Sequence, residues 1–278
     1  MKHTTFTWSS SGVEHFAQGW EAATAPRAVL AVVHGLGEHS GRYQRLAEFL
    51  APEGIALMAM DVYGHGKTGG KRGGFPGYER ILDSISEFLA QVQERYPSIP
   101  FFLMGHSMGG NLVANYLLKR APKPRGAILS APWLRLAFAP PKLDVTLAKI
   151  MVGIYPAFTQ ANKLDTSALS RDAAEVEKYN NDPLVHSKIG PPLFLEVSQA
   201  GEWALANAEH LALPTLLMHG DADRITSFEA SKAFAEAAAQ EVSWKPMEGY
   251  FHEMHNEPLA EREVAMGTIR DWLMQQLG

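Results

Sequence analysis

The chain has no cysteine among its 278 residues, which excludes disulfide scaffolds, thiol catalysis and cysteine-ligated zinc. No stretch approaches the ~20 consecutive apolar residues that a membrane-spanning helix needs. The opening residues, MKHTTFTWSS, lack the apolar core of a secretory signal. Lysine and arginine form no cluster, and with a formal net charge of -5 nothing marks a nucleic-acid partner. Internal repeats and low-complexity tracts are missing too. What remains is an ordinary globular composition, 46% hydrophobic and 20% charged, of a length suited to one large α/β domain or a domain with an insertion. A cytoplasmic protein is the expectation.

The apolar pattern alternates between two periods. Thr4–Trp8 and Val13–Trp20 predict a hairpin around Ser9-Ser10-Ser11-Gly12. Ala28–Val33 and Ile55–Met60 are continuous apolar runs, typical of strands covered on both faces. Between them Arg42–Leu50 is helix-like and stops at Pro52 and Gly54. Tyr78–Tyr96 carries Ile81, Ile85, Phe88, Leu89 and Val92 at helical spacing. A strand from Phe101, a helix and a short strand at Ala127–Ser130 follow. From Trp133 to about His210 this rhythm breaks, with Pro140-Pro141 and a stripe of Leu147, Ile150, Met151, Ile154, Tyr155 and Phe158. It resumes with strands at Pro214–Met218 and Val242–Met247, a helix at Phe228–Ala239, and a last helix carrying Ile269, Trp272 and Leu273. Such alternation implies right-handed crossovers and a mostly parallel sheet. The expected organisation is a core of residues 1–132 and 211–278 with an inserted cap at 133–210. The stripe in the cap is equally consistent with an apolar tunnel wall, a lipid-facing surface or an ordinary core-facing helix.

The segment 101–110 reads FFLMGHSMGG, and Gly105-His106-Ser107-Met108-Gly109 fits G-x-S-x-G. A serine on a very tight strand-to-helix turn has strained backbone angles, and side chains two residues to either side would collide. Glycines remove the collision and leave the hydroxyl exposed above the sheet, with a helix N-terminus beneath it. A hydroxyl is a poor nucleophile until a base takes its proton and an anionic partner holds that base. In this arrangement the acid and then the histidine follow the serine, on loops at the carboxyl ends of strands.

Downstream of Ser107, Gly220-Asp221-Ala222-Asp223 is the strand end that combines glycine with acids. Asp223 lies further from the strand, where a loop can turn its carboxylate toward a distant histidine; Asp221 is left to cap the loop or the next helix. The base is then His252, behind Gly249 after the final strand. His252-Glu253-Met254-His255-Asn256 is not the zinc motif H-E-x-x-H, because asparagine stands at the last position. No metal or other cofactor is expected. An oxyanion needs two donors: the N–H of Met108, following the serine, and that of Leu36, in His34-Gly35-Leu36-Gly37. His34, His39, His65 and His106 precede or adjoin the serine and read as structural or substrate-facing.

On these residues the chain resembles serine hydrolases of the α/β-hydrolase superfamily, and among them the monoacylglycerol lipase and lysophospholipase group. The resemblance runs over nearly the whole length. It is carried by HGLGEHSGRY from His34, DVYGHG from Asp61, GHSMGG, YNNDPL from Tyr179, GDADR from Gly220, and His252 with His255. It implies an α/β-hydrolase fold, with an eight-stranded, mostly parallel sheet flanked by helices. It also implies Asp223 as the acid and a glycerol site formed by Glu38, Arg42, Tyr179 and His255. A plain Glu38–Arg42 ion pair is the structural alternative. Lys67-Thr68 departs from the usual G-H-G-x-S, and Ile225 replaces a frequent valine. The implied activity is hydrolysis of a small lipid ester, a monoacylglycerol first, with a lysophospholipid or a general carboxylic ester as alternatives and peripheral membrane contact through the cap. A non-catalytic small-molecule receptor of the same fold is the remaining alternative, and the intact Ser, Asp and His argue against it.

Overall fold

The structure is a computed structural model and describes residues 1–21, 25–120 and 124–278. In chain order its elements are β1 (Lys2–Ser10), β2 (Val13–Glu21), β3 (Ala28–Val33), α1 (Gln44–Leu50), β4 (Ile55–Met60), α2 (Tyr78–Arg95), β5 (Phe101–His106), α3 (Met108–Lys119), β6 (Gly126–Ser130) and α4 (Lys142–Ile154). Then come β7 (Gln160–Ala161), α5 (Ala173–Asn181), β8 (Lys188–Ile189), α6 (Pro191–Ala206), β9 (Thr215–Gly220), α7 (Phe228–Ala237), β10 (Val242–Met247) and α8 (Leu259–Leu277).

Eight strands form one sheet in the order β1-β2-β4-β3-β5-β6-β9-β10. The first two are an antiparallel hairpin, and β2 is also antiparallel to β4; every pairing from β4 onward to β10 is parallel. The hairpin turns through Ser11 and Gly12, both at positive φ (50° and 76°), the pattern whose twist matches the flanking strands. All six residues of β3, β4 and β5 are buried, because the parallel crossovers put helices on both faces. Successive side chains serve opposite layers. Val29, Ala31 and Val33 join the core beneath α2 and α3, whereas Leu30 and Val32 join the one beneath α1 and α8.

The stretch from 133 to 210 does not behave as one unit. α4 has no buried residue, while Leu147, Met151 and Phe158 line the cavity into which Ser107 opens. The core-facing reading of that stripe therefore fails. By contrast α6 buries Leu193, Val197, Ala200 and Ala204 in the core shared with α3 and α7. The sheet needs a covering helix there, so α6 belongs to the helical layer although it lies within the expected cap. Two buried asparagines hold it. Asn111 Nδ2 donates to the carbonyls of Trp133 (2.8 Å) and Val197 (3.0 Å), and Asn115 Nδ2 donates to that of Ala200 at 3.1 Å. Asn111 Oδ1 in turn accepts the Tyr78 hydroxyl at 2.6 Å, tying in α2.

Asn111→Ala strands these buried groups without partners. It is expected to destabilise the fold by about 3 kcal/mol, read as a lower urea midpoint at unchanged slope.

Candidate active site

The turn between β5 and α3 holds Ser107 at φ 54° and ψ -118°, outside the regions that L-residues favour. Its neighbours make the turn possible. A methyl group on Gly105 would lie 2.3 Å from the Gly109 carbonyl oxygen, and one on Gly109 only 2.1 Å from that of Val33 at the end of β3. The strain is held by backbone bonds. Ser107 N–H donates to Ser130 (3.0 Å), and its carbonyl accepts from Asn111 (3.0 Å) and Trp133 (2.9 Å). The hydroxyl makes no hydrogen bond among the described residues, and Ser107 faces the cavity.

Asp223 is buried and receives five donors. Oδ1 accepts the N–H groups of Ile225 (2.7 Å) and Thr226 (3.1 Å). Oδ2 accepts from His252 Nδ1 (2.7 Å), the Thr226 hydroxyl (2.8 Å) and His219 Nε2 (3.0 Å). Burial alone would raise its pKa; the charge and N–H of His252 and the bond from His219 reverse this and hold it well below the usual carboxylate range. Burial likewise works to lower His252, and Asp223 overrides it, leaving the imidazole above its usual 6.5. With Nδ1–H committed to Asp223, Nε2 is the free nitrogen and His252 lines the same cavity as Ser107. No hydrogen bond joins the two in this unliganded state, a looseness common before substrate binds. Asp221 is exposed and accepts the Gly249 N–H at 2.6 Å, bracing the turn before the histidine.

Leu36 and Met108 N–H have no hydrogen-bond partner among the described residues. They sit on two segments, each held by its own hydrogen bonds. The Leu36 loop is pinned by Gly35 N–H to Glu38 Oε1 (2.6 Å), by His34 between Gly35 and Val62, and by His186 N–H to the Gly37 carbonyl at 2.9 Å. Met108 opens α3. Donors held in this way cost no reorganisation when charge develops.

The four residues of the implied glycerol site divide. Glu38 and Tyr179 line the cavity; Arg42 and His255 do not. The Arg42 guanidinium is consumed by Glu253, through paired bonds of 2.5 and 2.7 Å, and by Glu38 at 3.2 Å, with Tyr179 beneath it at 4.7 Å. The ion-pair reading of Glu38 and Arg42 therefore describes the geometry, extended to a third member. His255 is sealed under the Tyr43 ring at 5.3 Å, and burial lowers it to about 4 despite Glu253. Burial also lowers His106 to about 3, aided by His252.

Glu253 was not singled out from sequence, although it lines the cavity; its position between His252 and His255 was the available signal. His219 and Thr226, both on Asp223, left none, since a histidine within an apolar strand reads as structural. The cavity has a volume of about 570 Å³. Glu38, Glu253 and Tyr179 give it polar lining; Trp133, Leu136, Met151, Phe158, Ile189 and Phe194 give it apolar wall, and Asp144, Lys163, Asp165 and Arg224 add charge of both signs. Such a space suits an ester with a compact polar head and an apolar tail.

Comparison with known proteins gives the same picture. A family model described as serine aminopeptidase, S33, matches residues 24–259. A monoacylglycerol lipase of Mycolicibacterium smegmatis is 30% identical over 268 residues, covering 96% of this chain and 95% of that protein. Phospholipase YtpA of Bacillus subtilis is 32% identical over 262 residues, 93% of this chain and 99% of its own. An abhydrolase domain-containing protein of Dictyostelium discoideum is 33% identical, but this chain spans only 27% of its length. The crystal structure of Paleococcus ferrophilus monoacylglycerol lipase superposes with a TM-score of 0.84 at 35% identity, covering 93% of this chain and 98% of that one.

Exchanging the two candidate acids separates them. Asp223→Asn is expected to lower kcat by about four orders of magnitude, and Asp221→Asn by less than about threefold. The base must be neutral to act, and Asp223 raises His252. Wild-type kcat/KM should therefore fall as pH drops through a pKa above 6.5, and the residual activity of Asp223→Asn should persist to lower pH.

Proposed function

Since this chain belongs to the serine aminopeptidase S33 family, we propose that it hydrolyses monoacylglycerols to fatty acid and glycerol through an acyl-enzyme on Ser107. The observation that carries this reading is one cavity in which Ser107 and His252 meet the carboxylates of Glu38 and Glu253 and a largely apolar wall. The carboxylates of Glu38 and Glu253 suit glycerol hydroxyls, which donate to them. Lys163 and Arg224 also line the cavity, so a lysophospholipid is the second reading, supported by the resemblance to a phospholipase.

The reaction follows from the placement of the groups. Ser107 Oγ attacks the ester carbonyl while His252 Nε2 takes its proton. The Leu36 and Met108 N–H groups receive the oxyanion, each worth about 3 kcal/mol. Asp223 orients His252 and stabilises the imidazolium. Collapse breaks the bond to glycerol, which leaves with the proton from His252. Water then attacks the acyl carbonyl while giving a proton to the same nitrogen; the bond to Ser107 Oγ breaks, that proton returns to Oγ, and the fatty acid leaves. Glu38 and Tyr179 hold the glycerol, and Arg42 acts behind them by orienting Glu253 and Glu38.

Cap contact with lipid belongs to the same reading. Outward from the cavity α4 carries Leu143, Ile150 and Ile154, 67%, 51% and 74% exposed, and Tyr155 and Phe138 extend the patch. An apolar face of this kind, beside the mouth of a cavity for acyl chains, suits the surface of a bilayer or micelle. No helix of the described residues is long and apolar enough to cross a membrane.

Turnover across mono-, di- and triacylglycerols and lysophospholipids should favour the monoacylglycerol, and a fluorophosphonate should label Ser107; a folded protein that resists labelling would end the enzyme reading. Tyr179→Phe should raise KM for monoacylglycerol more than for a p-nitrophenyl ester, and equal effects would count against a glycerol site. The double variant Ile150→Asp, Ile154→Asp should reduce co-sedimentation with phosphatidylcholine vesicles while leaving hydrolysis of p-nitrophenyl acetate unchanged.

A further inference from the structure

His219, at the end of β9, is fully buried and has no part in the reaction as described. Its Nε2 lies 3.0 Å from Asp223 Oδ2 and 3.3 Å from the Thr226 carbonyl oxygen. Both are acceptors, so Nε2 carries the proton. On the other side of the ring, Nδ1 is 2.7 Å from the Ser231 hydroxyl on α7. That hydroxyl has no other partner among the described residues and donates to Nδ1, which fixes the tautomer. Phe228 packs against the ring with centroids 5.9 Å apart, closing the slot.

We propose that His219 is a positioning residue for the hydrolysis: its Nε2–H, locked by Ser231, holds the Asp223 carboxylate in the plane that His252 requires and limits how strongly that carboxylate draws the proton of His252. The inference rests on the Ser107, His252 and Asp223 reading above. Its force comes from the alternatives open to the other donors. Oδ1 is tied to two backbone N–H groups, which anchor one oxygen and leave the other to the side chains. The Thr226 hydroxyl has a single proton, and it stands 3.1 Å from the Ala131 carbonyl as well as 2.8 Å from Asp223. When that proton turns to Ala131, His219 is the remaining side-chain donor that faces His252 across Oδ2. Ser231 prevents it from turning away in the same fashion.

The sign of the effect follows. A carboxylate with fewer donors is more basic, binds the His252 proton more tightly and stabilises the imidazolium. The acidic limb of kcat/KM then moves to higher pH. The other groups facing His252 are Glu253, Glu38, His106 and His255, and the substitutions leave all of them in place. Around His219 stand Asp223, Thr226, Ser231 and Phe228.

His219→Leu is expected to move the acidic limb up by about half a unit or more and to lower kcat about tenfold. His219→Gln restores an N–H toward Oδ2 and should return the limb toward the wild-type position. Ser231→Ala keeps the imidazole but frees its tautomer, so it should give an intermediate shift, and it decides the matter if His219→Leu does not fold. An unmoved limb in folded Ser231→Ala and His219→Leu, or no recovery in His219→Gln, would overturn the proposal while Asp223→Asn remained inactive. Full activity in Asp223→Asn would instead overturn the acid assignment and this inference with it.

Discussion

The turn at Ser107 and the end of β3 touch so closely that neither can be altered alone. With 2.1 Å separating a would-be methyl on Gly109 from the Val33 carbonyl oxygen, the first turn of α3 rests directly on the neighbouring strand. That contact brings two segments distant in sequence, the start of the helix and the loop after β3, together beside Ser107. It also accounts for the tolerated strain at Ser107. A single residue at such angles costs of order 1–3 kcal/mol, and three backbone bonds plus a packed helix hold it there.

Electrostatics then sets His252 apart from the imidazoles beside it. Several imidazoles crowd the serine, and burial works to lower each of them. His106 falls to about 3 and His255 to about 4. His252 alone among these three rises, because it alone touches Asp223. The carboxylate can remain charged in a buried place because five donors converge on it. One acid, saturated with donors, thus sets the protonation of His252, whereas burial sets that of His106 and His255.

Much of this was legible in the residues. Apolar runs without alternation marked doubly covered strands, and glycines two to either side of a serine marked a turn whose reason is steric and local. The order of strand ends placed the acid and the histidine, which requires only the topology of a parallel sheet. What the residues could not convey was contact at long range. Arg42 and Glu253 are 211 positions apart, and nothing in either segment announces a bidentate pair. For the same reason the pairing of Glu38 and Arg42 could be foreseen from their spacing, but not the third member, Glu253. The helix α6 was misplaced because a break in strand rhythm looks alike whether the next helix covers the sheet or lies above it. The face of α4 was undecidable for a related reason. An apolar stripe reports only that one side avoids water, and its outward residues find no covering element.

The acidic pair in the cavity has a directional effect on the cycle. Glu38 and Glu253 place two carboxylates in the cavity lining, bound from behind by the guanidinium of Arg42, while Arg224 and Lys163 line the cavity as well. An ester is uncharged and enters this field without penalty. A fatty acid is an anion, and on this reading it forms beside the carboxylates of Glu38 and Glu253. Repulsion from them therefore acts on the product and not on the reactant. The carboxylates proposed to seat glycerol would thus also favour departure of an anionic product.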